Sequence, residues 1–385
     1  MIDLLLEHAE EPGCEGKFLN ALSDHITAVE KSARTGDRRQ VARIEAELQA
    51  QPEDSFHFDR DETGILRTGE TRFSVGRFEA VSISDLQRRA IAVREKVTGG
   101  RVRLFILDGV SPATDIGSLQ ATAGPETLFQ VASQFNCLES PGPYITSVAN
   151  YFNDPTQGPR ASISAFPGTL LRHYAAPGKD GERFVQTNNE RQINLLEAVC
   201  SPGVAEVRNG YLTSSGISDR LAFINALERR FEEIRVGMHE DVPVVLGYNW
   251  DGAVRGERRI GQVFTSTFAG GGYSRSNDTE YREICINLLR AAYLGTLLAA
   301  VVLRRSNVVL TLIGGGVFGN PIPLIWEAIQ WALHEVEPLM CEEMNVVLNG
   351  RNLGDHISLD TLLPAIRARG GAMVQFGPRG ISVRH

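Results

Sequence analysis

NVVLTLIGGGVFGNPIPLIWEAI, residues 307–329, reads as an apolar strand that runs into a glycine loop and then a helix. The loop is Gly314-Gly315-Gly316-Val317-Phe318-Gly319-Asn320, and Pro321 opens the helix, where its missing N–H would have no partner anyway. Bare backbone N–H groups at such a junction, with the positive end of the helix behind them, suit a phosphate. The same glycines also suit a tight turn that needs positive φ. There is no GK[ST] and no GxGxxG, so neither a P-loop nor a Rossmann fingerprint fits.

Outward from this unit, further apolar strand-like runs stand at 102–110, 128–133, 244–248, 261–267 and 344–350. Helical patterns fall between some of them, at 219–234, 278–305 and 321–336. Continuous apolar strands separated by helices predict an α/β fold, with a mixed or parallel sheet covered on both faces. Residues 1–50 carry apolar positions at helical spacing. QPEDSFHFDRDETG (51–64) reads as a break, 65–82 alternate like strands, and SDLQRRAIAVREKV (84–97) restarts a helix at Ser84 or Asp85. The expected organisation is a mainly helical accessory region over 1–100, a core over 101–350, and a C-terminal extension over 351–385 packed on that core.

The 385 residues exceed the rough ~150 of a single small domain, and a 42% hydrophobic, 22% charged composition excludes a disordered or fibrous chain. A net charge of −8 argues against wrapping nucleic acid, because phosphate contacts need clustered Lys and Arg. Five dispersed cysteines with no CxxC pair argue for a reducing compartment and against structural zinc. Ile284 to Leu303 is the most apolar stretch, but Arg290 leaves an uncharged run shorter than the ~18 residues of a spanning helix, so a buried helix is expected and no membrane. The N-terminus has no basic start and no cleavage site of a signal peptide.

Two other segments carry chemistry. In LFQVASQFNCLES (128–140) a buried strand ends in Gln134-Phe135-Asn136, polar amides at the strand end where α/β sheets gather ligands. Asp154-Pro155-Thr156-Gln157-Gly158-Pro159 then leads into a helix start, a second anion cradle or, for Asp154, an Asx-type cap. AGGGYSRSND (269–278) reads more readily as a surface loop than as a lid carrying Tyr273. Cys137 has no His to pair with and reads as a small buried hydrophobe.

TDIGSLQ (114–120), FQVASQFNCLE (129–139), NYFNDPTQGPRASISAFPGTLLRHY (150–174), VGMHEDVPVV (236–245), GQVFTS (261–266) and LTLIGGGVFGNP (310–321), in this order, resemble the macrodomain superfamily, and more narrowly its MavL-type branch of ADP-ribosylarginine hydrolases. The resemblance spans roughly residues 102–350. It implies a three-layer α/β/α sandwich and hydrolysis of ADP-ribose from arginine on ubiquitin or another protein, with a non-catalytic ADP-ribose reader as the alternative. Cofactor and metal are not implied; a cytoplasmic setting, or a host cytosol for a delivered effector, is. Asp115 and Ile116 would recognise adenine, Gln134 and Asn136 the ribose, and Thr156, Gln157 and Gly158 one side of the diphosphate. Gly315, Gly316, Val317, Phe318, Gly319 and Asn320 would hold the other side. Asp241 is the first choice for the catalytic carboxylate, with Asp251 and Asp154 as further candidates. The family's Glu after the Tyr of its long helix is Leu294 here, which points to a slower or differently specific hydrolase, or to a binder alone.

Overall fold

The computed structural model describes all residues except 9–14, 31–37, 95–99, 141, 143, 179–180, 188–189, 249–253, 255–256 and 275–279. Its strands are β1 (Phe56–Phe58), β2 (Gly64–Thr68), β3 (Thr71–Ser82), β4 (Val102–Asp108), β5 (Thr127–Ala132), β6 (Ala176–Pro177), β7 (Arg183–Phe184), β8 (Arg235–Pro243), β9 (Arg259–Thr265), β10 (Asn307–Thr311), β11 (Met344–Arg351), β12 (Met373–Gly377) and β13 (Gly380–Arg384). All but β6 and β7, which pair with each other, join one sheet in the order β1-β2-β3-β8-β9-β5-β10-β11-β4-β12-β13. The segment from β9 to β12 is parallel throughout, in register pairs such as Val309 with Val347 and Leu348 with Ile106. β8, β3, β2 and β1 extend it antiparallel on one side and β13 on the other.

The helices are α1 (Ile2–His8), α2 (Glu15–Glu30), α3 (Arg38–Ala50), α4 (Pro52–Ser55), α5 (Ile83–Val93), α6 (Ile116–Ala121), α7 (Gln157–Ser164), α8 (Phe166–Tyr174), α9 (Arg220–Arg229), α10 (Arg282–Val302), α11 (Ile322–Val336) and α12 (Leu359–Arg369). β8 shows how they divide. Gly295 of α10 packs so closely on Val236 that an added Cβ would lie 2.5 Å from it, and Gly168 of α8 packs on His239 at 2.8 Å. Val236 and His239 are three apart on one strand and so face opposite sides. α5, α9 and α11 pack around α10, and α3 and α7 contact α8. The expected three-layer α/β/α sandwich with a mixed central sheet is what forms. α10 is long and apolar enough to cross a bilayer by length and composition, yet 78% of its apolar window is buried inside the protein.

The divisions at residues 100 and 350 are corrected. Residues 51–64, read as a break, contain α4 and β1, and β3 pairs with β8 in the central sheet. The C-terminal residues likewise enter the sheet, with β12 alongside β4. Residues 244–248, expected as a strand, leave the sheet, and Val245 and Leu246 donate their N–H groups to Ser164 O; the strand is β8, one segment earlier. Ser82 rather than Ser84 caps α5, accepting from Asp85 N at 3.1 Å.

The N-terminal region also fastens the future site. Glu45 of α3, 2% exposed, accepts from Val148 N at 2.7 Å, Ala149 N at 3.0 Å and Tyr174 Oη at 2.7 Å. The two N–H groups open a 3₁₀ turn, Val148–Asn153, that leads directly into α7. Arg38 reaches the same turn through Asn150 and Asn153. Glu45→Ala should therefore cost about 3 kcal/mol in denaturant unfolding, since it strips several charge-assisted hydrogen bonds from a buried site.

Candidate functional site

A cavity of about 510 Å³ opens at the carboxyl ends of the parallel strands, within the size range of small-molecule sites. Its floor is Ala132, Ser133 and Gln134 after β5, Ser266 and Thr267 after β9, and Asn349 at the end of β11. One wall is Asp154 to Pro159 and the facing wall is Gly314 to Phe318. The two loops singled out as anion cradles thus border one space.

The glycine loop forms the tight turn that one of its readings required. Gly314 (φ +72°) and Gly319 (φ +65°) take the left-handed backbone that a turn requires. Gly315 N, Gly319 N and Asn320 N close turns onto Leu312 O, Gly316 O and Gly314 O. The N–H groups of Gly316 and Val317 have no hydrogen-bond partner among the described residues, and both residues are exposed toward the cavity mouth. Tyr293 of α10 holds the loop's entry, donating to Thr311 O at 2.8 Å and accepting from Ile313 N at 3.1 Å. Opposite, α7 begins with no side-chain cap, so the N–H groups of Gln157 and Gly158 stand at the positive end of the helix.

Aromatic rings close one end. Tyr211 and Tyr273 stack at 5.2 Å, and Phe318 meets Tyr273 edge-on at 5.4 Å. Residues 269–274 belong to the segment read as a surface loop, and Gly271, Gly272 and Tyr273 are exposed; Gly270 and Gly271 also pack on the glycine loop, where a Cβ on Gly271 would lie 2.6 Å from Val317 O. Tyr273 lines the cavity.

Glu139 is the residue that sequence reasoning missed. It lines the cavity, is 9% exposed, and its Oε1 has no hydrogen-bond partner among the described residues. Burial pushes its carboxyl well above the ordinary carboxylate range; Asp154 adds to the shift and Arg172 opposes it. Its backbone N–H donates to Tyr151 Oη at 2.8 Å, and Tyr151 Oη lies 2.7 Å from His173 Nε2. A Cβ on Gly158 would lie 2.6 Å from Glu139 Oε1, so the acid sits against the start of α7. The signal was present as a Glu three residues beyond the sheet-end amide Asn136, but only burial distinguishes it from a surface Glu.

The structure redistributes the other expected residues. Gln134 lines the cavity, but its amide is spent on Ser140 O at 2.6 Å, Tyr211 Oη at 2.8 Å and Ser140 N at 3.3 Å. Asn136 is fully buried beneath the cavity, accepting from Leu138 N and donating to Gln192 Oε1. Asp115 caps α6 and ion-pairs with Arg160, and Ile116 N–H donates to Gln157 Oε1 at 2.9 Å. Asn320 ties the loop together by donating to Phe268 O at 2.9 Å. Asp154 accepts from Thr156 N at 2.9 Å, the Asx-type turn expected of it, and also lines the cavity.

Asp241 is a clear correction. It lies at the far end of β8, in a bulge with φ +51°, half exposed and paired with Arg305 at 3.1 Å. β8 runs antiparallel to β9, so its carboxyl end points away from the end where the cavity opens. Asp251 lies outside the described residues. Leu294 is buried in α10.

No family model and no curated protein matches the chain. Solved structures with a similar outline include poly(ADP-ribose) glycohydrolase from Deinococcus radiodurans in complex with ADP-ribose, at TM-score 0.41 and 12% identity over 76% of this chain and 93% of that one. The apo form of that enzyme matches at TM-score 0.41 with 9% identity, over 76% of this chain and 93% of that one. The corresponding enzyme from Thermomonospora curvata matches at TM-score 0.40 with 12% identity, over 86% of this chain and 98% of that one.

Two histidines support the site from below and set its acid sensitivity. Burial lowers His173 to about 3, with the nearby Arg172 charge adding to the shift, and holds His239 well below its usual value. The folded chain keeps both neutral, whereas the unfolded chain protonates them near 6.5. Their contribution is therefore present above pH 6.5 and is lost as pH falls from about 6.5 toward 3. Denaturant unfolding at pH 7.5 and pH 5 should show this loss, and His173→Gln should flatten the slope.

Proposed function

We propose that this protein is an ADP-ribosylhydrolase that releases ADP-ribose from modified protein side chains, with ADP-ribosylarginine as its first substrate. The observation that supports this reading is the juxtaposition, in one cavity, of two sets of unpaired backbone N–H groups and a buried carboxyl group whose pKa burial pushes up. The N–H groups of Gln157 and Gly158 on one wall, and of Gly316 and Val317 on the other, suit the two phosphates of a pyrophosphate. Glu139 lies beside the α7 cradle, where the sugar attached to that pyrophosphate would place its anomeric carbon.

The chemistry follows from the acid's protonation state. The bond from the anomeric carbon to the side-chain nitrogen breaks, and its electron pair leaves with the nitrogen, which takes the proton of Glu139. Water adds to the resulting oxocarbenium-like carbon, and the proton it sheds restores Glu139. Asp154, on the same wall and partly open to solvent, suits the cationic guanidinium of the leaving group. Tyr211, Tyr273 and Phe318 enclose the sugar and limit water around the reacting carbon. Asp241 takes no part in this account.

The test is incubation of the full chain with arginine-ADP-ribosylated ubiquitin, and with glutamate- and serine-linked conjugates in parallel, following released ADP-ribose. Release from the arginine conjugate supports the whole reading, and release from another linkage retains the hydrolase and corrects its specificity. ADP-ribose binding without release from any conjugate makes the protein a reader. Glu139→Gln should lower turnover by roughly 10²–10⁴-fold with little change in ADP-ribose affinity, and Asp241→Ala should leave turnover unchanged. Because the pKa of Glu139 is raised, the wild-type rate should fall on the alkaline side, at a pH well above the ordinary carboxylate range, as this proton is lost.

A further inference from the structure

We infer that Asn349 reads the base of the bound nucleotide, its side-chain carbonyl accepting a hydrogen bond from an exocyclic amine; the inference rests on the ADP-ribosyl reading of the cavity. The lateral order of the sheet locates the base. β5, β10, β11 and β4 lie side by side, each neighbour about 4.8 Å from the next. Glu139 follows β5, the glycine loop follows β10, Asn349 stands near the end of β11 and Val110 follows β4. Asn349 is therefore two strands, on the order of 10 Å, from the strand that leads to the acid, with the phosphate loop between them. A molecule built as sugar, pyrophosphate and nucleoside, with its sugar at Glu139, puts its base over β11 and β4.

Asn349 is equipped to meet that base. It lines the cavity and is 4% exposed. Its Nδ2 donates to Thr114 O at 3.0 Å, and because that oxygen can only accept, the orientation of the amide is fixed. Oδ1 then remains a buried acceptor with no partner among the described residues, an arrangement that costs free energy until a donor arrives. Arg351 donates to the same Thr114 O at 3.1 Å, and it lines the cavity together with the exposed Val110. Its planar guanidinium and the valine offer the base a flat surface and an apolar one.

The acceptor first expected for this task is not among the residues that line the cavity. The carboxylate of Asp115 is engaged by Arg160 and Ser118 N, and the Ile116 N–H by Gln157. Adenine presents an amine donor at its 6-position, whereas hypoxanthine presents a carbonyl there, which would face Oδ1 acceptor to acceptor. Discrimination between these two bases is the direct consequence.

Calorimetry of the full chain with ADP-ribose and with its hypoxanthine counterpart, inosine diphosphate ribose, tests this. Wild type should prefer ADP-ribose by about 10-fold or more, and Asn349→Leu should bind the two within about twofold of each other. Asn349→Ala provides the same comparison should the leucine variant fail to fold. Equal binding of the two ligands by wild type, or a preference that survives in the variants, overturns the inference while leaving the ADP-ribosyl reading intact. Failure of wild type to bind either ligand overturns both.

Discussion

A single buried guanidinium organises the structure beneath the cavity. Arg172 of α8 is fully buried, with its Cζ 3.6 Å from the centre of the Phe264 ring. It donates to Cys137 O at 3.0 Å, Gly168 O at 3.1 Å and Thr169 Oγ1 at 3.0 Å, and its Nη1 lies 3.0 Å from His239 Nδ1. His239 Nε2 is 2.7 Å from Val75 O, so that nitrogen carries the proton and Nδ1 accepts from the arginine. One side chain thereby joins α8, β8, β9 and the turn after β5. The turn matters most, because Cys137 holds φ +62° there and Glu139 follows two residues later. A buried charge is costly unless its donors are satisfied, so the cation that pins this turn also demands that the surrounding acceptors keep their places.

The wall opposite the glycine loop depends on a second buried charge brought from far along the chain. Glu45 anchors the 3₁₀ turn before α7 and also receives the hydroxyl of Tyr174. The N-terminal helices thus set the position of the α7 N–H groups, and β3 completes the sheet beside β8. An appendage packed beside a finished core would not have this consequence. Residues 1–100 are instead a structural support for a cavity they do not line.

Local sequence carried the parts of this architecture that are local. The strand, glycine loop and proline-led helix at 307–329 form from contiguous residues, as does the polar turn into α7, and both border the cavity. What local pattern cannot carry is strand direction. VGMHEDVP reads as the same apolar–polar mixture whichever way it runs, and only its antiparallel pairing with β9 sends Asp241 to the wrong end. Membership of β1 to β3 in the sheet depends on pairing across more than 150 residues, which periodicity does not record. Glu139 was illegible for a related reason, since its chemistry comes from what surrounds it rather than from its neighbours in sequence. Asp115 shows the reverse: a motif in its expected place whose carboxylate is consumed by Arg160, forty-five residues on.

On the proposed hydrolase reading, the raised pKa of Glu139 reconciles two demands that would otherwise conflict. The chain carries a net charge of −8, and a pyrophosphate brings further negative charge into a cavity with Glu139 and Asp154 on its walls. An ionised Glu139 beside the α7 cradle would repel that anion in a setting where screening by water is weak. Burial favours the neutral carboxyl, so that on this reading the uncapped start of α7 would offer its dipole to a phosphate without competition from an adjacent carboxylate. In the proposed mechanism the same neutrality supplies the proton for the leaving group. The proposed mechanism therefore ties affinity for the anion and readiness for acid catalysis to one protonation equilibrium, so that loss of this proton at alkaline pH would weaken the grip on the ligand as well as the chemistry.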